Sequence, residues 1–120
     1  MRVRAARGAI VVTEDTPEAI HDATEKLLRA VLTRNEITTD DLISILFTAT
    51  DDLAAAFPAE AARAMGLAQV PLLCAREIPV QGSMASVVRL MVHFHTERAL
   101  DRVVHVYLDG AESLRDDLDN

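Results

Sequence analysis

SVVRLMVHFH, residues 86–95, alternates like a β-strand crossing a protein interior, yet it carries an arginine at position 89. Successive strand side chains point to opposite faces, so Ser86, Val88, Leu90, Val92 and Phe94 share one side, and Val87, Arg89, Met91, His93 and His95 the other. The first is a core face. The second is apolar near its middle except at Arg89, whose guanidinium stays charged and is costly to bury without an anion. Two readings follow. Arg89 either makes a structural ion pair or snorkels to the sheet edge, or it is kept for the anion of a ligand.

The same pattern recurs at the N-terminus. Residues 3–12, VRAARGAIVV, read as a first strand in which Val3, Ala5, Arg7, Ala9 and Val11 point one way, again with an arginine on an apolar face. Then EDTPEAIHDATEKLLRAVLTRNE predicts a helix: Thr16 suits the N-cap, Pro17 the first helical position, and Asp15 and Glu18 put negative charge at that end. Ile20, Ala23, Leu27 and Val31 form its buried stripe, widened by Leu28 and Leu32, and the helix should end near Asn35.

LISILFTAT reads as a second strand buried on both sides, FPAEAARAMG as a short helix between Pro58 and Gly66, and VPLLCAREIPV as a third extended segment. Residues 86–95 make the fourth strand and 102–108, RVVHVYL, the fifth. GAESLRDDLDN should be a short helical turn followed, from about residue 115, by a mobile acidic tail. The expected class is α+β, a mixed five-stranded sheet with one long helix and short ones. One long helix cannot cover both faces of such a sheet, so an oligomer is expected, with arginines lining clefts between chains.

Composition narrows the function. The 120 residues fit one domain, residues 1–120, and with 50% hydrophobic but only 3% aromatic residues its core must be aliphatic. A net charge of −7 argues against nucleic-acid or anionic-membrane partners, which need a basic footprint. No segment reaches transmembrane length, and the N-terminus is a poor signal peptide. Cys74 is the single cysteine, so no internal disulfide forms, which fits a reducing cytoplasm.

Arg7, Arg63 and Arg89 form a set of cations suited to a substrate with more than one carboxylate, because guanidinium groups bind carboxylates directionally. Glu77 either accepts from a substrate hydroxyl or pairs with Arg89. Tyr107 lies in the last strand. Cys74 is either a small apolar packer or a weak donor to a ligand. His93 and His95 share a strand face and His105 follows in the next strand, but no carboxylate or cysteine stands at ligand spacing, so no metal site is expected. A Ser/His/Asp triad, a phosphate-binding glycine loop and a CxxC pair are all missing.

Taken in order, RGAI (7–10), EDTPEAI (14–20), FTATDDLAAAFPAEAAR (47–63), VPLLCAREIPV (70–80), VVRLMV (87–92), RVVHVYL (102–108) and the late LRDDL resemble the AroH-type chorismate mutases, the trimeric α/β class. The resemblance spans nearly the whole chain. It implies a homotrimeric pseudo-α/β-barrel with active sites at subunit interfaces, and a Claisen rearrangement of chorismate to prephenate without a cofactor, serving phenylalanine and tyrosine synthesis. By position it implies that Arg89 donates to the ether oxygen, that Arg7 and Tyr107 hold the side-chain carboxylate, and that Glu77 takes the ring hydroxyl with Cys74 beside it. It further implies apolar walls from Phe57, Leu72, Leu73 and Leu114, with Arg63 and Arg115 at the mouth. Two positions depart from the pattern: Glu60 stands where some members carry a basic residue, and Leu73 where the family can be polar. The alternatives are a trimeric dicarboxylate-binding or regulatory module without catalysis, and an enzyme of similar architecture acting on another small carboxylate, such as an imine hydrolase.

Overall fold

A computed structural model describes the backbone of residues 1–117 and the side chains of residues 1–114. Its strands are β1 (Arg2–Val11), β2 (Leu42–Ala49), β3 (Leu72–Arg76), β4 (Val87–Thr96) and β5 (Val106–Leu108), and its α-helices are α1 (Pro17–Arg34) and α2 (Ala59–Ala64). Short 3₁₀ segments occupy Thr39–Asp41, Leu100–Arg102 and Glu112–Asp117. The strands form one mixed sheet in the order β3-β2-β4-β1-β5. β4 runs antiparallel to both β1 and β2, while β3 and β5 are parallel to their neighbours β2 and β1.

Helix α1 begins as its sequence dictates, with Pro17 in the first turn and the Thr16 hydroxyl accepting from the Ala19 N–H at 3.1 Å. Ile20, Leu27, Leu28 and Val31 are buried against the sheet. Ala23 packs half-buried against the same core as expected, and Thr24 is buried beside it because its hydroxyl donates to the Ile20 carbonyl at 2.7 Å and so needs no water. At the far end Asn35 is buried and works as a substitute strand: its amide donates to the Val104 carbonyl and accepts from the Val104 N–H, both at 2.8 Å. This ties α1 to the approach to β5. Helix α2 ends at Gly66, whose φ of +89° is easy only for glycine.

On the helix side, Ala6 and Ile10 of β1, Ile45 and Phe47 of β2, and Val88, Leu90, Val92 and Phe94 of β4 join the helix residues in one core. The expected core face of β4 is therefore correct, except that Ser86 precedes the strand in a left-handed conformation, φ +57°. Two other expectations change. β2 is not buried on both sides, since Leu46 faces solvent within this chain. β5 covers only three residues of the expected seven, because Leu100–Arg102 turn as 3₁₀ and the Val104 backbone groups are taken by Asn35.

Close packing of α1 on β1 depends on Gly8. A methyl group there would stand 3.0 Å from Leu27 Cδ1, 3.1 Å from the Val106 carbonyl oxygen and 3.3 Å from Val31 Cγ2. The oxygen cannot rotate away. Gly8→Ala is expected to lower stability by about 1–3 kcal/mol through overpacking, read as a shifted urea midpoint at constant m-value. An unchanged midpoint would mean that α1 rides farther from the sheet.

Candidate active site

The far face of the sheet gathers the candidate polar residues. Cross-strand register puts Ala75, Thr48, Arg89, Ala9 and Tyr107 in one row across all five strands, from β3 to β5. The next row runs Leu73, Leu46, Met91, Arg7. Arg7, Arg89 and Tyr107 thus share a face, and they line one cavity of about 260 Å³ with Gly8, Leu46, Thr48, Leu90 and Met91. Leu114 packs beside Tyr107 against the buried Ala9, Val87 and Ala111.

Glu77 reaches this face from just beyond β3. Its backbone N–H donates to the Ala49 carbonyl at 3.0 Å, and its carboxylate accepts from the Thr48 hydroxyl at 2.7 Å. The same oxygen, Oε2, lies 3.0 Å from Nε of Arg89, so the ion pair anticipated as one alternative forms. It is a pair by distance only. The Nε–H does not point along the contact, and this buried donor has no hydrogen-bond acceptor among the described residues. Charge is balanced while a buried donor stays unspent, an arrangement that calls for an explanation, a catalytic role being one. Arg89 and Glu77 also line a second, open cavity of about 410 Å³ with residues 78–80 and 83–85.

His105, just before β5, supports Arg7 from behind: the Arg7 N–H donates to His105 Nδ1 at 3.0 Å. An accepting Nδ1 leaves the proton of the neutral ring on Nε2. Burial first, and then the Arg7 guanidinium, hold this histidine below its ordinary 6.5. The fold therefore favours the neutral ring. The resulting stability is complete above pH 6.5 and is lost as pH falls through the lower value of the folded state. In His105→Asn, whose amide oxygen could take the same bond, stability should vary less with pH below 6.5 than in the parent. Urea midpoints measured across that range check this, and identical profiles would remove His105 as the source.

Of the remaining predicted site residues, Leu73 shares this face at its β3 edge and the others lie elsewhere. Cys74 pairs in register with Phe47, a core residue, which turns it toward the helix side of the sheet. Within one chain it faces away from the row that carries Arg89. It lines a separate cleft of about 440 Å³ with Phe57, Glu60 and the 53–58 segment. Phe57 is 68% exposed and Leu73 62% in this chain. Leu72 is half-buried against the core, and Arg63 is exposed on α2. The side chain of Arg115 and the tail beyond it lie outside the described residues.

Among the described residues no group of three or more His, Cys, Asp or Glu side chains is placed to hold a metal ion. His93 Nδ1 instead meets the Ser44 hydroxyl at 3.2 Å, and His95 is exposed. No helix among the described residues is long and apolar enough to cross a membrane.

Residues 3–118 match the family model described as Chorismate mutase type I. The chain belongs to this family. Among its relatives, Chorismate mutase AroH of Thermus thermophilus is 53% identical over 119 residues, covering 98% of both chains. Chorismate mutase AroH of Bacillus subtilis is 38% identical over 119 residues, 98% of this chain and 94% of that one. A solved chorismate mutase from Clostridium thermocellum superposes with a TM-score of 0.89 at 45% identity, covering 91% of this chain and 97% of the other.

Two neighbours of the candidate residues were not expected in this role: Thr48 beside Glu77 and His105 behind Arg7. Thr48 interrupts the apolar run LISILF-T-A as Arg89 interrupts β4, and the same search for polar residues inside strands would have found it. His105 lies two residues before Tyr107, the spacing that places side chains on one strand face.

Proposed function

We infer that the chain is a chorismate mutase that builds its active site from two subunits of a homotrimer. It converts chorismate to prephenate, a step toward phenylalanine and tyrosine. The observation that carries the site assignment is the charge-balanced but donor-unsatisfied Arg89 beside Glu77, on a face shared with Arg7 and Tyr107. Breaking the carbon–oxygen bond of the substrate loads negative charge onto its ether oxygen. A fixed guanidinium there binds the transition state better than the ground state, an effect of the kind worth ~10²–10³ in rate. Glu77 accepts from the ring hydroxyl, and its bond from Thr48 keeps its carboxylate turned toward the cavity. Arg7 and Tyr107 hold the side-chain carboxylate.

The second half comes from the neighbouring subunit. Cys74, Phe57, Arg63 and Leu73 sit at the β3–α2 edge, remote from Arg7 in the same chain, and the exposed Phe57 and Leu73 need a cover. Supplied across an interface, they close the apolar wall around the folded substrate conformer and put Arg63 near the ring carboxylate, with Leu72 and Leu114 behind. The reaction moves electrons within one molecule, so it needs no cofactor. One domain of 120 residues suffices, and the free Cys74 suits the reducing cytoplasm.

The test is incubation of purified protein with chorismate in a chelating, cofactor-free buffer, following loss of diene absorbance and identifying prephenate, with the oligomer measured by sedimentation. Binding of chorismate without turnover would instead support the dicarboxylate-binding module.

A further inference from the structure

Where the ends of β1, β2 and β4 meet, one exposed carboxylate collects four contacts. Asp52 accepts from the Thr50 hydroxyl at 2.5 Å, from the Ser86 hydroxyl at 2.9 Å, and from the Ser86 N–H at 3.0 and 3.2 Å to its two oxygens. Thr50 in turn accepts the Val87 N–H on its hydroxyl at 3.0 Å and donates its own N–H to the Val87 carbonyl at 3.1 Å. The Ser86 carbonyl takes the Val12 N–H at 2.7 Å. Every backbone polar group of Ser86 and Val87 is therefore fixed by a neighbouring segment.

That anchoring has something to hold. Ser86 has φ +57°, a left-handed conformation that a serine adopts only at some cost, and it is the last residue before β4. Its conformation sets the direction in which β4 departs, and Arg89 is the third residue along. From the other side, Glu77 hangs by its N–H from Ala49, one residue before Thr50. Asp52, Glu77 and Arg89 line the same cavity. A displacement of β4 relative to the end of β2 would change the separation of the two charged groups.

We propose that Asp52 is a positioning residue for this reaction: by holding Ser86 left-handed, it fixes the start of β4 and so the placement of Arg89 opposite Glu77. Asp52 touches no substrate. The hydrogen bonds from Thr50 and Ser86 also hold its carboxyl below the ordinary 3.8. The proposal rests on the chorismate mutase reading of the Arg89–Glu77 pair.

The test uses glycine, for which a left-handed φ carries no penalty. Asp52→Ala should lower kcat about tenfold to a hundredfold with a smaller change in KM, since a shift of about 1 Å at a reacting group can cost that much. Adding Ser86→Gly to Asp52→Ala should recover most of the lost kcat, because the glycine reaches φ +57° without the carboxylate. A merely structural carboxylate would not be rescued in this way. Unchanged kcat in folded Asp52→Ala, or a loss that Ser86→Gly does not relieve, would overturn the proposal. Should Asp52→Ala fail to fold, Asp52→Asn and its Ser86→Gly double variant make the same comparison. Crystal structures of the parent and of the folded Asp52 variant give a readout independent of turnover: the Arg89–Glu77 separation should change in the variant and return in the double. A parent without turnover would sink the chorismate reading alone, while an unmoved Arg89 would sink the positioning role.

Discussion

Arg89→Ala is expected to lower kcat for chorismate by about 10²–10³, the loss typical of removing one preorganised donor from a site where charge develops. KM should move much less, because the donor acts on an oxygen that becomes strongly negative only in the transition state. The substitution also strips Glu77 of its counter-charge 3.0 Å away, though Thr48 still donates to that carboxylate. Arg89 is 41% exposed in this chain, so the variant should still fold. Arg89→Lys tests geometry separately from charge. A lysine keeps the positive charge but loses the planar fork, and it should recover little of the rate. Near-normal turnover in Arg89→Ala, with circular dichroism showing a folded protein, would refute the assigned role.

The second large effect comes from mixing two crippled chains. Phe57→Asp puts a negative charge into the apolar wall facing a dicarboxylate and should bring activity close to background, as Arg89→Ala does. Unfolded together at equal amounts and refolded, the two variants would form mixed trimers. If each site takes Arg89 from one subunit and Phe57 from the next, about a quarter of sites in a random mixture receive both intact halves. Activity should rise from background to roughly that fraction of the parent's. Each variant refolded alone should stay inactive. No recovery in trimers shown by mass spectrometry to be mixed would place both groups in a site made by one chain.

Sequence revealed the strands and the helix well because each rests on local chemistry: alternation around Val88, Leu90, Val92 and Phe94, and the Thr16–Pro17 start of α1. β5 was overestimated because VVHV alternates like a strand, while what ends the pairing at Val104 is the side chain of Asn35, sixty-nine residues away. The burial of Leu46 and Leu73 could not be judged from alternation either, since a strand pattern says which residues share a face and not what covers it. For the candidate site, Arg7 and Arg89 were visible as charges on apolar strand faces, and Tyr107 only as a residue of the last strand. The position of Cys74 was not visible. Its side of the sheet depends on pairing with Phe47, a register that adjacent residues do not encode.

The strand order has a further effect, on the timing of synthesis. β1 is the first segment to leave the ribosome, yet both of its partners, β4 and β5, are made last. At about 5–20 residues per second, the interval between Val11 and Val87 is roughly 4–15 s. For that time a ten-residue strand has no edge to join. Only α1 and the parallel β2–β3 pair can form early, and a parallel pair is slow to close. The central sheet can then assemble only as the end of the chain emerges, so a nascent chain stalled before residue 87 holds apolar segments without a fold to receive them. Arg7 and Arg89, on the first strand made and the fourth, are brought to one face only after β4 has been synthesised.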